Sequence, residues 1–91
     1  MKDIKWNPTK SKRLKQTRGA SFEEIVKSKF IVIREHPNRN DQKVMVFEHK
    51  NYLWAVPFIE DEDTIFLKTI YRSRKLMKIY NREREDTNEK N

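Results

Sequence analysis

Between residues 72 and 82 the chain carries Arg72, Arg74, Lys75, Lys78 and Arg82, with no acidic side chain among them. Near the other end Lys10, Leu14 and Arg18 are spaced so that a helix would stack all three along one face. Guanidinium and ammonium groups at such spacing suit phosphate, which Arg grips through paired hydrogen bonds and Lys as a point charge. The charge is also unevenly spread. Residues 1 to 29 hold nine Lys/Arg against three Asp/Glu, whereas Glu60, Asp61, Glu62 and Asp63 form one acidic run, and the whole chain is +7. If the fold joins the two basic segments, their field attracts a polyanion, and phosphate contacts make the binding steeply salt-dependent. The alternative is that these cations only solvate helix faces, and charge by itself does not choose between the two.

Other chemistry-bearing residues have ready structural explanations. His36 precedes a proline and His49 stands beside a tight turn; either can move a proton, and either fits a polar surface position. Trp54 can stack on a base but sits inside the apolar run YLWAV, which reads as core. Glu23 and Glu24 suit a helix start, and the acidic run suits a solvated turn. There is no cysteine, and two isolated histidines make no zinc ligand set, so no cofactor is expected. No run approaches the ~20 apolar residues of a membrane span, and the first ten residues lack a signal-peptide pattern. A cytoplasmic protein without membrane association is expected.

The elements that must position these groups follow from periodicity and punctuation. With 91 residues the chain is one small domain, too short for a large core around a buried cofactor. A domain is expected over residues 1–82, and the polar stretch 83–91 is expected to be a disordered tail. DIKW reads as a first strand, Asn7-Pro8 as the start of a helix running to Arg18, and Gly19 as its stop. Ser21 and Glu24 form a capping box over a second helix ending near Lys29, with Ala20 stapled onto Ile25. KFIVIREH, KVMVFEH, YLWAVPF and TIFLKTIY then read as four strands, the second and third joined at Lys50-Asn51 with Asn51 left-handed. Pro57 requires an unpaired side or a bulge in its strand. Ser73 caps a last helix in which Leu76, Ile79 and Tyr80 share a face. The fold class is α+β: N-terminal helices, an antiparallel meander of about four strands, and a C-terminal helix. Helices are expected on one sheet face, with a partner chain over part of the other.

The order W-N-P-x-K at Trp6 to Lys10, R-G-A-S-F-E-E at Arg18 to Glu24, and R-S-R-K at Arg72 to Lys75 with Tyr80 beyond, resembles the BrnT-type toxins of bacterial toxin-antitoxin systems. The likeness runs from about Lys5 to Tyr80. That family reads W-D-x-x-K, K-H-G and S-A-R at the corresponding places, so Trp6, Lys10, Gly19, Ser21, Phe22, Ser73 and Arg74 are kept, Asn7 replaces Asp, and Thr17-Arg18 replaces Lys-His. The resemblance implies a RelE/ParE-like fold and a ribonuclease that inhibits translation. It also implies a cognate antitoxin encoded nearby, through which alone operator DNA would be reached. Metal-free RNA cleavage uses the 2′-hydroxyl as nucleophile and needs groups to move protons and stabilise the charged phosphorane. On this reading Arg74 and Arg72 hold the phosphate, and Lys10 and Arg18 complete the grip if the first helix packs beside the last. Tyr80 is able to donate a proton or stack on a base, and equally fits the apolar stripe of its helix. Two other classes fit the same residues: a non-catalytic nucleic-acid-binding module, and an antitoxin-binding scaffold without chemistry.

Overall fold

The computed structural model describes residues 2 to 89, with side chains to residue 81. In order the elements are β1 (Asp3–Lys5), α1 (Pro8–Arg18), α2 (Phe22–Val26), β2 (Lys29–Glu35), β3 (Lys43–His49), β4 (Tyr52–Glu60), β5 (Thr64–Leu67), β6 (Tyr71–Arg72) and α3 (Arg74–Glu89). Helices, meander and final helix follow one another as the sequence implies. α3 continues through 83–89, the stretch the sequence sets apart as a polar tail; residues 90 and 91 lie outside the described residues.

Local chemistry fixes the helix ends. Asn7 Oδ1 accepts from the Lys10 N–H at 3.1 Å, Pro8 opens α1 where no donor is needed, and Gly19 closes it at φ +88°, a left-handed conformation open to a residue without Cβ. In α2 the Ser21 hydroxyl accepts from the Glu24 N–H while the Glu24 carboxylate accepts from the Ser21 N–H, each at 3.2 Å. This helix is shorter than the expected run to Lys29, because its last turn closes through a Ser28 N–H to Ile25 carbonyl bond and Lys29 already belongs to β2. Lys50 and Asn51 are both left-handed, at φ 52° and 64°, since a two-residue hairpin of this twist needs positive φ at both places.

The sheet order is β1-β5-β4-β3-β2, with β6 also on β4. An antiparallel meander of about four strands is therefore corrected to six strands in a mixed sheet: β1 runs parallel to β5, pairing Asp3 with Thr64 and Lys5 with Phe66. The fourth strand expected from the run TIFLKTIY is two strands, and Pro57 is the cause. Its carbonyl accepts from the Lys68 N–H at 2.8 Å, and in an antiparallel pair a residue's N–H and C=O face the same neighbour. The donor that proline lacks is thus missing on the β5–β6 side. β5 ends with Leu67 opposite Phe58, and β6 resumes with Tyr71 opposite Ala55, so Lys68, Thr69 and Ile70 bulge against Val56 and Pro57.

Three layers result. Met45, Phe47, Trp54, Val56 and Phe58 project from one sheet face onto Leu14, Ala20, Phe22 and Ile25 of the first two helices. The opposite parity, Val44, Val46, Leu53 and Ala55, is buried on the other face, where Leu76 and Ile79 of α3 line the same grooves. The cover expected from a partner chain is supplied by α3, and α1 and α3 do not pack side by side.

A polar clamp joins α1 to α2. Ser11, buried, donates to Glu23 Oε2 at 2.7 Å and accepts from the Phe22 N–H at 3.0 Å. Trp6 Nε1 donates to Glu23 Oε1 at 2.9 Å, and the Trp6 ring stacks on Phe22 at 6.0 Å. The Ser11 bond, followed by a backbone one, holds the Glu23 carboxyl below its ordinary range. Ser11→Ala leaves a buried N–H unpaired and should lower the unfolding free energy by about 1–3 kcal/mol in urea titration. Glu24 supplies a pH signature. Its bond from Lys15 Nζ at 2.9 Å, together with the Ser21 contacts, holds its pKa at about 2 against an ordinary 4.5. The folded-state value lies below the unfolded one, so this stabilisation is complete above 4.5 and lost as pH falls toward about 2. Glu24→Gln should be less stable at neutral pH and lose less on acidification across that window, as followed by denaturation at each pH.

Candidate functional site

β3, the hairpin, β4, β6 and the end of α1 meet at one corner. There Arg18, Gly19, His49, Lys50, Tyr52, Trp54 and Arg72 line an open cleft of about 300 Å³. The register explains the company. His49 pairs with Tyr52 and Arg72 with Trp54, and residues paired across an antiparallel ladder share a face, here the α1 face. Gly19 lets the chain turn away at once, so Arg18 ends α1 without a following turn of helix above it.

Arg18 is held at this corner by the bulge. Its Nη1 donates to the Ile70 carbonyl and, at 3.4 Å, to Thr69 Oγ1. A bulge leaves backbone groups without ladder partners, and the guanidinium supplies one while other N–H groups stay available to a ligand. The Arg72 guanidinium lies over the Tyr52 ring at 5.5 Å from its centroid, a cation–π contact that fixes its direction. His49 meets Trp54 edge-on at 6.2 Å.

Two further features point to an occupant of particular chemistry. The lining includes three cations and no carboxylate, which favours an anion. Trp54 Nε1 and His49 Nε2 are buried and have no hydrogen-bond partner among the described residues, although Trp54 is only 4% exposed. A buried polar atom left unpaired is costly, and a ligand that pairs it recovers that cost. The cationic surface extends beyond the cleft. Burial first, and then repulsion from Lys68, Arg13 and Arg18, pushes the Lys10 pKa below its ordinary value, so these groups share one field.

Of the residues proposed from sequence, Arg18 and Arg72 are brought together in the cleft. They meet through β6 and the bulge, rather than through contact between the first and last helices. Lys10 stands two turns back along α1, outside the lining. Arg74 is exposed at the start of α3, where the Ser73 hydroxyl accepts from the Leu76 N–H at 3.1 Å, and it does not line the cleft. Tyr80 is half-buried on the α3 face, where it lines a groove with Leu53, Leu76 and Ile79. The sequence offers His49 as a group able to move a proton that equally fits a polar surface position, and it gives Tyr52 and Lys50 no part in the chemistry. The usable signal was parity: in a two-residue hairpin, His49 and Tyr52 must face the same way as Trp54. His36 is accounted for structurally, its Nδ1 accepting from the N–H groups of Asn38 and Arg39, both at 3.1 Å.

The chain is an α+β domain of layered helices and a mixed sheet, and its fold is BrnT-like. It is similar to a solved structure, the crystal structure of the Brucella abortus ribonuclease toxin BrnT, at 16% identity and a TM-score of 0.54, over 82% of this chain and 100% of that one. No protein-family model and no curated protein matches the sequence. Among the described residues no helix is long and apolar enough to cross a membrane.

The Arg18 latch is itself open to test. Arg18→Lys keeps the charge but loses the planar fork that reaches Thr69 and Ile70. It should cost about 1 kcal/mol of stability, and amide hydrogen exchange across residues 68–71 should quicken while the core of β3 and β4 stays protected.

Proposed function

We propose that this chain is the toxin of a toxin-antitoxin pair, and that it cleaves RNA at the cleft between Arg18 and Arg72. The observation that carries the reading is the facing of two guanidinium groups and an imidazole in one acid-free cleft, on the fold of a ribonuclease toxin. Arg18 and Arg72 bind the scissile phosphate and stabilise the dianionic phosphorane as the 2′-oxygen attacks. His49 moves the proton, taking it from the 2′-hydroxyl or delivering it to the departing 5′-oxygen. The products balance as a 2′,3′-cyclic phosphate and a free 5′-hydroxyl. Tyr52 offers a ring for a base to stack on, and Trp54 Nε1 a donor for a base or phosphate oxygen. Lys10 and Lys68 guide the flanking phosphates, and Arg74 contacts the chain beyond the cleft. Tyr80 serves the packing of α3. Cleavage of messenger or ribosome-bound RNA would inhibit translation in the cytoplasm, and a cognate antitoxin would mask the basic surface.

The replacement of the family's Lys-His by Thr17-Arg18 favours one other reading, a domain that binds RNA without cutting it. One experiment separates them: cleavage of total RNA by the purified chain in EDTA, with and without ribosomes, beside Arg72→Ala, His49→Ala and Arg74→Ala. Catalysis at the cleft predicts a loss of about a hundredfold or more for the Arg72 and His49 variants and much less for Arg74→Ala. If all RNA stays intact while filter binding still shows salt-dependent affinity that Arg72→Ala weakens, the domain is a binding module and the ribonuclease reading is wrong.

A further inference from the structure

Arg18, Lys50 and Arg72 put three cations on one cleft, and no described carboxylate balances them. The ion pairs among the described residues lie elsewhere, at Lys2–Glu60, Lys15–Glu24 and Lys43–Glu60. Arg18 is positioned through Nη1 and Arg72 through the face of its guanidinium, so both keep donors for a ligand. Charge then separates the anions that fit. An internal phosphodiester carries one negative charge, whereas a terminal phosphomonoester carries about −1.5 to −2 near neutral pH and offers a third free oxygen. A cleft with this excess of cations favours the monoester. Its volume of about 300 Å³ stands at the low end of small-molecule sites, roomy for a bare phosphate and suited to one nucleotide.

Trp54 gives an independent sign of the occupant. It is only 4% exposed, and its Nε1–H has no partner among the described residues. An indole nitrogen is a donor only, so whatever completes it is an acceptor, as a phosphate oxygen is. Nε1 and the neighbouring His49 Nε2 both lie out of reach of solvent, so a ligand oxygen meets Nε1 only when the cleft wall shifts on binding. That shift is offset by the pairing of a buried donor that is otherwise unsatisfied.

We propose that the cleft binds a nucleoside 3′-monophosphate, with its dianionic phosphate on Arg18 and Arg72 and one oxygen on the Trp54 N–H, and that this ligand closes the site to RNA. The closure rests on the ribonuclease reading given above; the binding does not. On that reading the phosphorane is a dianion and the cyclic product a monoanion, so the monoester matches the transition state in charge and the product leaves easily.

The chain has two tryptophans, and Trp6 Nε1 is already bonded to Glu23, so its indole N–H signal in nuclear magnetic resonance is an internal control. The full chain is titrated with 2′-deoxyadenosine 3′-monophosphate at about pH 8, above the second ionisation of the phosphate. Without a 2′-hydroxyl the probe resists cleavage. The Trp54 signal should move while that of Trp6 stays. The methyl ester of the same nucleotide, with one charge fewer, should bind about tenfold or more weakly, and inorganic phosphate should also bind more weakly. Arg72→Gln should weaken the monophosphate by about tenfold or more, with the Trp6 signal in place to report a folded chain. An unmoved Trp54 signal, equal affinity for the ester or for inorganic phosphate, or indifference to Arg72→Gln would each overturn the proposal. Nucleotide binding of this pattern in a chain that leaves RNA intact upholds the site and sinks only the ribonuclease reading. Cleavage at the cleft without nucleotide binding does the reverse.

Discussion

The corner that matters depends on a hydrogen bond Pro57 is unable to donate. Because the missing N–H faces β5 and β6, the ladder breaks there, and one extra residue enters the outer strand. In a sheet of period two, one residue reverses every side chain that follows. Without the bulge, Arg72 would stand opposite Leu53 and point toward α3; with it, Arg72 stands opposite Trp54 and points toward Arg18. The same bulge presents the Ile70 carbonyl that Arg18 binds. Ile70 itself is fully buried, which anchors the irregular segment to the core instead of leaving it as a loop.

Most residues that carry the family resemblance do structural work at the corners of this fold. Trp6 stacks on Phe22 and bonds Glu23, Asn7 caps α1 as an aspartate would, Gly19 supplies a left-handed stop, and Ser21 and Ser73 cap the following helices. Their chemistry is short-range, which explains why they were legible from spacing alone. Helix starts, the hairpin and the β3 and β4 cores were equally legible, because each rests on contacts within a few residues. The parallel pairing of β1 with β5 and the side of the sheet taken by α3 were not. Those depend on which surfaces remain uncovered after the meander forms, a property of the whole chain.

The site was half legible for the same reason. Arg18 and Arg72 announced themselves by charge, but their meeting place depends on a register slip that no local pattern encodes. His49 looked like a surface residue because nothing adjacent in sequence gives it a partner. Its neighbours Arg18 and Arg72 come from segments distant in sequence, and Trp54 comes to it across the hairpin. Arg74 was the natural choice from sequence, standing at a helix start in a basic run, yet the cap at Ser73 that defines that start also turns the chain away from the cleft.

The latch between Arg18 and the Ile70 carbonyl spans 52 residues of chain. On the ribosome, α1 leaves the exit tunnel well before its anchor has been made, and β1 waits in the same way for β5. The cleft is therefore absent from a nascent chain until β6 has emerged, whatever helices have formed by then. Assembly is timed by topology, so partial products of synthesis carry the basic residues without the geometry that aims them.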